Sequence, residues 1–351
     1  MVRDATGDNL RLQQETPVTV IKTLRWSFDT CSRERRLLTS LHLRTSDYLF
    51  SLQLQVKMPT VFNQQRAGES LDEFSERCVS TTESERRRLL EEVDRFVRYL
   101  HDQPFSYPYS VKEVIKSGSL GKGTAVRNLA DIDLVVFVNG LSSIDELQRA
   151  RPQLLAGLRE KVRQSARIQP ASSSSFSLTY NWNDIEVDIL PAVDVLSLYG
   201  SKSKVYEVMG RCGSTGHAAQ QFSASLAPLQ RDFVKDVPEH VKKVIRLVKL
   251  WKKENHLDIR SYSLELLTIY VWQAAGRGNP GTDYLFREVM RQLSTCGTLR
   301  VAFDANYNSS TYTRSMSQPY ILDPANPYMN TLHGTSIGNT SESAKRVLRC
   351  L

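Results

Sequence analysis

Two aspartates two residues apart, Asp131 and Asp133, open the apolar run DIDLVVFV, and a glycine- and serine-rich stretch, SGSLGKGT over 117–124, precedes them. In a β-strand, residues i and i+2 point to the same face, so the pair presents two carboxylates side by side. Adjacent anions disfavour each other's ionisation unless a cation neutralises them. Mg²⁺ is a hard cation that takes carboxylate and phosphate oxygens together. A two-metal site would hold ions about 3.5–4 Å apart and clamp the attacking and leaving oxygens of a displacement. Downstream, IEVDILPAVD offers further carboxylates: Glu186 and Asp188 alternate with Ile185, Val187 and Ile189, so both leave the apolar face.

The glycines serve a different partner. Ser117, Gly118, Ser119, Gly121 and Gly123 let backbone N–H groups approach a phosphate closely. The stretch is not a Walker A loop, because Gly123 follows Lys122 instead of preceding a Lys-Ser/Thr pair, and it is not GxGxxG. A lone Gly-Ser turn or a lone DxD is common. A strand, a Gly-Ser turn, a short helix and a DxD strand in that order point to nucleotidyl transfer, with a triphosphate on the turn and metal ions on the Asp pair.

The chain that must position these groups has 351 residues, enough for two lobes with cores of their own. Its 40% hydrophobic and 24% charged content is that of a globular protein. No apolar run is long enough to span a bilayer, and MVRDATGDNL lacks the apolar core of a secretory signal. Five cysteines without CxxC spacing favour reduced thiols and a cytoplasmic or nuclear setting over a disulfide framework. Cys212 and His217 are near each other, but no second pair follows, so a zinc insertion is not expected. The net charge of +8 favours phosphate-bearing partners, nucleic acid among them.

Residues 1–66 read as an extension of unknown structure, in which VTVIKTLRWSF and YLFSLQLQVKM have strand character. From about residue 70 the pattern turns helical. Thr82 or Ser84 is an N-cap for a helix whose Leu89, Leu90, Val93, Phe96, Val97 and Leu100 share one face. VKEVIKS reads as a strand before the Gly-Ser turn. LSSIDELQRARPQLLAGLREKVRQS reads as a helix, and FSLTYNW and IEVDILPAVDVL as strands around a turn at Asn183-Asp184. The serine run 172–175 reads as a surface loop. After 195 helical patterns dominate: LQRDFVKDV, HVKKVIRLVKLWKKENH, YSLELLTIYVWQAAG and TDYLFREVMRQLST.

At these residues the sequence resembles the 2′-5′-oligoadenylate synthetase family. GSLGKGT…DIDLVVF, IEVDILPAVD, LQRDFV, VIRLVKLW, SYSLELLTIYVW and YILDPANP occur in the family's order over about residues 68–345. The wider nucleotidyltransferase superfamily, with the cyclic GMP-AMP synthases, shares only the Gly-Ser turn and the acidic triad. The resemblance implies an α+β, two-lobed nucleotidyltransferase fold. A catalytic lobe over 67–195, a mixed sheet with flanking helices, would be followed by a mostly helical lobe over 196–351. It implies a Mg²⁺-dependent enzyme that polymerises ATP into 2′-5′-linked oligoadenylate with release of pyrophosphate, in antiviral signalling, activated by double-stranded RNA. It also implies a soluble cytoplasmic protein, present in the nucleus as an alternative, without a membrane partner.

Carried over by position, the resemblance makes Asp131, Asp133 and Asp188 the metal carboxylates and catalytic residues, with Asp188 also the base toward the acceptor 2′-hydroxyl. Gly118 and Ser119 would hold the donor triphosphate, Arg246 and Lys249 would meet phosphate charge, and Tyr262 would flank the adenine. Lys122 and Arg127 match the family's basic loop. Lys116, Arg231, Lys242 and Lys243 would face RNA. Three departures stand out: Ser261 where the family more often has Gln, and Glu239 and His240 where it commonly has Thr and Lys. Losing a cation and gaining a carboxylate weakens phosphate contacts. The chain stops at RVLRCL, without the family segment associated with oligomerisation, which favours a monomer. Two alternatives remain, a catalytically inactive synthetase-like RNA-binding protein and a cyclic-dinucleotide synthase.

Overall fold

The computed structural model describes residues 60–351 except 103, 130, 165–167, 183–184, 213–220 and 315, with the backbone alone at 168–171. The two N-terminal strand candidates, the Asn183-Asp184 turn and His217 lie outside the described residues.

A short helix, α1 (Leu71–Phe74), is capped by Ser70 and Glu73 and runs into a π-turn over Ser75–Val79. Helix α2 (Glu83–His101) starts at Thr82, whose hydroxyl accepts the Glu85 N–H while the Glu85 carboxylate accepts the Thr82 N–H, a reciprocal cap that selects Thr82 over Ser84. Val93, Phe96 and Leu100 of α2 are buried against the sheet side of the molecule.

That sheet has the order β1-β2-β5-β4-β3: β1 (Ser110–Lys116), β2 (Asp131–Asn139), β3 (Ile168–Ser173), β4 (Leu178–Trp182) and β5 (Ile185–Ala192). It is mixed. β2 and β5 run parallel and the other pairs antiparallel. The parallel crossover carries α4 (Ile144–Arg163), capped by Ser143. Between β1 and β2 sits α3 (Gly118–Lys122), the Gly-Ser turn. Strand β2 is buried along Leu134–Val138 on both faces, as a central strand must be.

The serine run is only half a loop. Ser172 and Ser173 pair with Thr179 and Leu178, so β3 extends through them as an edge strand and the turn begins at Ser174. Serine has no strand preference of its own; cross-strand pairing with β4 decides.

After the sheet come α5 (Val195–Tyr199), α6 (Lys202–Arg211), α7 (Ala227–Lys235), α8 (Glu239–Glu254), α9 (Ser261–Ala274) and α10 (Thr282–Ser294). The two-residue strands β6 (Arg300–Val301) and β7 (Tyr320–Ile321) pair around α11 (Ser309–Thr313), and α12 (Ile337–Leu348) closes the chain. Mixed sheet and flanking helices make this an α+β fold. Helix α9 is buried on nearly every side, from Ser263 through Ile269. Among the described residues no helix is long and apolar enough to cross a membrane.

Two large apolar clusters result. One joins the sheet to α2, α4 and α6, and the other joins α8, α9, α10 and α12. The helical cluster also takes Phe62, Leu71, Phe74 and Val79. Phe62 stacks on Phe74 with ring centroids 4.9 Å apart and meets Phe286 of α10 at 5.8 Å. The packed body therefore begins before residue 67, because an aromatic ring at 62 has a closed apolar site to fill. Phe62→Ala in the full chain is expected to cost about 3 kcal/mol in chemical denaturation, a large-to-small core loss. No change would place residue 62 with the extension instead.

Candidate active site

The strand register assembles the carboxylates. In the β2–β5 ladder, Asp131 is opposite Glu186 and Asp133 opposite Asp188. All four project from one face, at the end of the sheet where the Gly-Ser turn folds back. Burial, then the Asp131 carboxylate, pushes the Asp133 carboxyl up to about 7, against the pull of Lys122. Asp188 accepts a 2.6 Å hydrogen bond from Thr179 Oγ1 across the β4–β5 pair.

The turn is fastened to β2 by close contact. Ser117 N–H donates to Asp133 O at 2.8 Å. Ser119 Oγ donates to Asp131 O at 3.2 Å and lies 3.3 Å from the Asp131 N–H. Gly118 has φ of +65°, and a Cβ there would lie 2.8 Å from the Asp133 nitrogen. A Cβ at Gly121 would lie 2.6 Å from the Lys116 carbonyl oxygen. Both positions require glycine because backbone, not a movable side chain, occupies the space.

Behind the turn sits Glu265 of α9, 2% exposed. It receives Lys122 Nζ at 3.0 Å, Thr124 Oγ1 at 2.8 Å and Lys249 Nζ at 3.5 Å. Burial would raise its carboxyl pKa, but Lys122 and Lys249 overcome that and hold it below the usual range. Lys122 also lies 4.3 Å over the Tyr262 ring, and Tyr262 Oη donates to Asp323 Oδ1 at 3.0 Å. Asp323 is fully buried and takes Gln230 and the Ala325 N–H as well.

Arg246 and Lys249, three residues apart on α8, are parted by the turn. Lys249 Nζ donates to Thr124 O at 3.1 Å, and Arg246 Nη1 donates to the preceding carbonyl, Gly123 O, at 3.1 Å. Lys249 lines a cleft of about 610 Å³ with Asp131, Asn181, Glu186, Lys252, Lys253 and Ser261. Arg246 instead lines a separate cavity of about 330 Å³ with Arg86 and Lys242, where Glu239 holds its Nη2 at 2.5 Å. Thus the carboxylate cleft is acidic on the strand side and cationic on the α8 side. Lys252 Nζ donates to Ser261 Oγ at 3.2 Å, so Ser261 is engaged by the cationic wall.

Of the four cations expected at an RNA face, three have carboxylate partners. Lys116 pairs with Asp94 at 2.5 Å, Arg231 with Asp232 at 2.8 Å, and Lys243 with Asp72 and Glu76 at 2.7 and 3.2 Å. Lys242 donates to the Lys235 carbonyl. Arg127 pairs with Glu85 at 3.4 Å.

A hard divalent cation fits the donor set. The carboxylates are oxygen ligands in adjacent register, and burial first, then the neighbouring Asp131, disfavours a charged Asp133 that a bound cation would stabilise. Among the described residues no three His, Cys, Asp or Glu side chains are grouped closely enough to hold a metal ion.

Sequence reasoning passed over Glu265, Asp323, Lys252 and Lys253. Glu265 had a signal, as the sole charged residue of SYSLELLTIYVWQA. Its removal leaves two ammonium groups facing a buried gap. Glu265→Ala is expected to destabilise the chain by about 3 kcal/mol in denaturant titration, with Glu265→Gln milder because Thr124 keeps an acceptor. The depressed carboxyl contributes stability that is present above its unfolded pKa and lost as pH falls through the lower folded value. Glu265→Gln should therefore flatten stability against pH in the acid range below about 4. Equal, small effects of both variants would disprove the role.

Comparison with known proteins bears on this arrangement. A family profile described as "2'-5'-oligoadenylate synthetase 1, domain 2, C-terminus" matches residues 199–350, and one described as "Nucleotidyltransferase domain" matches 101–170. The rat 2'-5'-oligoadenylate synthase 1A (Rattus norvegicus) is 32% identical over 309 residues, covering 76% of this chain and 85% of that protein. The mouse 2'-5'-oligoadenylate synthase 1A (Mus musculus) is 32% identical over 271 residues, covering 67% and 74%. Two solved structures of E. coli MS115-1 CdnC are similar in fold. In complex with HORMA-deltaN, CdnC gives a TM-score of 0.58 at 23% identity, covering 79% of this chain and 87% of that one. With ATP it gives 0.54 at 22%, covering 79% and 88%.

Proposed function

The chain belongs to the 2′-5′-oligoadenylate synthase family, and on that premise we propose that it polymerises ATP into 2′-5′-linked oligoadenylate. The acceptor 2′-oxygen attacks the donor α-phosphorus, the bond to the β-phosphate breaks, and pyrophosphate leaves. The observation that carries this reading is the register that sets Asp131 and Asp133 beside Glu186 and Asp188 next to the Gly-Ser turn, with Asp131 and Glu186 lining one cleft with Lys249 and Lys252. In this reading the lobe over 67–195 supplies the carboxylates and the lobe over 196–351 the cationic wall.

Mg²⁺, where bound, would be held by Asp131, Asp133 and Asp188 and would neutralise phosphate charge and acidify the acceptor hydroxyl. The remaining work falls to the chain. The Gly118 and Ser119 N–H groups hold the donor triphosphate. An Asp188 carboxylate oxygen takes the acceptor's proton, with Thr179 fixing its orientation. Lys249 and Lys252 offset charge in the cleft. Arg246 acts from behind, through Gly123, to fix the turn. Tyr262, held by Asp323, flanks the adenine edge of the site. Retention of every metal carboxylate argues for an enzyme over an inert binding protein.

Double-stranded RNA is the proposed activator, in antiviral signalling in the cytoplasm. It would have to draw Lys116, Arg231 and Lys243 away from intramolecular carboxylates, so activation should depend steeply on salt.

The test is direct. Purified full-length protein is incubated with ATP and Mg²⁺, with and without double-stranded RNA, and the products are digested with a 3′-5′-specific nuclease. Nuclease-resistant oligoadenylate is expected. A cyclic or nuclease-sensitive product would overturn the linkage, and no product in either tube would overturn the enzyme. Asp131→Ala and Asp188→Ala should each lower turnover at least about a hundredfold with the fold intact by circular dichroism, since even outer partners of a metal site cost 10- to 100-fold. Unchanged turnover in either would remove that residue from the site.

A further inference from the structure

A third cavity, of about 460 Å³, opens between α6 and the segment around α11, and it shares no lining residue with the carboxylate cleft. Its walls are aromatic. Tyr312 is the hub, its ring centroid 5.4 Å from Tyr307, 5.1 Å from Tyr328 and 6.3 Å from Tyr206, each nearly perpendicular. Tyr206 and Tyr307 are buried, while Tyr312 and Tyr328 are half-buried at the opening. Three of the hydroxyl groups differ in their partners. Tyr206 Oη donates to Ala325 O at 3.2 Å and Tyr328 Oη to Tyr206 O at 3.3 Å. Tyr307 Oη is buried with no hydrogen-bond partner among the described residues.

The charge at the rim is positive. Glu207 also lines the cavity, but its carboxylate is taken by Lys204 and Arg211, both at 2.9 Å. Among the described residues no carboxylate lies within ion-pair distance of Lys202, which stands at the start of α6. An aromatic wall and a rim cation suit a ligand with a flat ring and an anionic end. The cavity volume is in the range that holds a molecule of nucleotide size. Aromatic side chains stack any base, because every base has a π-face.

We propose that this cavity is a second nucleotide-binding site, which takes one nucleobase against Tyr312 and its phosphate on Lys202. The site touches the proposed active site through one short path. Ala325, whose carbonyl takes Tyr206, donates its N–H to Asp323 Oδ1 at 2.8 Å, and the same oxygen holds Tyr262. An occupant that shifts Tyr206 therefore acts on the segment that anchors Tyr262.

The test uses the full chain in EDTA, where transfer cannot run, so its outcome is independent of the linkage or even the existence of the synthetase activity. AMP and adenosine are titrated by ligand-observed NMR. Saturable AMP binding is expected. Tyr312→Ala should weaken it about tenfold, the loss of one stacked ring, while Tyr312→Phe keeps it. Lys202→Ala, an exposed change that leaves the fold alone, should weaken AMP and leave adenosine as it was. Lys345→Ala, an exposed change on α12 away from both cavities, should leave AMP affinity unchanged. Absence of AMP binding would overturn the proposal. So would AMP binding that neither Tyr312→Ala nor Lys202→Ala alters.

Discussion

One buried carboxylate joins the parts of this molecule that must meet. Glu265 accepts from Lys122 and Thr124 of the Gly-Ser turn and lies beside Lys249 of α8. A charge at 2% exposure is costly unless compensated, and its compensation comes from two other elements at once. The turn, α8 and α9 are therefore fixed relative to one another by electrostatics inside a packed core. Lys249 then has only one way to face the strand carboxylates, and the position of the cleft follows from it. Removing the pair as a unit would cost far less than removing one side, because the penalty lies in the stranded partner.

On the opposite wall the controlling fact is repulsion. The β2–β5 register leaves Asp131, Asp133, Glu186 and Asp188 no freedom to disperse, since hydrophobic neighbours on the other face pin both strands. The fold spends stability there to hold an arrangement that water alone would break up. Such local strain at a site is the usual cost of pre-organised charge.

Much of this was legible in the sequence, and the exceptions have physical reasons. β1, β2, β4 and β5 followed from alternation and β-branched runs, and period two set Asp131 with Asp133 and Glu186 with Asp188, while the choice of Asp188 over Glu186 came from the family resemblance. β3 did not, because Ser172 and Ser173 have no preference that announces a strand and only the partner β4 makes one. Arg246 and Lys249 share a helix face by spacing, yet the turn lies between them, and successive carbonyls, Gly123 and Thr124, take one each. No one-dimensional pattern records which side of a neighbouring loop a side chain passes. The residues 62–79 were harder still. Several of their partners, Lys243 of α8 and Thr282 and Phe286 of α10, are more than 160 positions away, so local pattern alone could not reveal them.

The close approach of Gly118 to the backbone of β2 has an evolutionary consequence. Most positions in an enzyme can drift through substitutions of graded effect, and selection tunes rates by small steps. Position 118 has no such gradient, because the smallest side chain would already press on the strand that carries both aspartates. Natural variation in turnover must then come from elsewhere, from the cationic wall or the segment beneath Tyr262. A lineage that abandons catalysis would be free to lose Gly118 early and in a single step. That glycine is the place to look first when sorting living synthetases from relics among distant relatives.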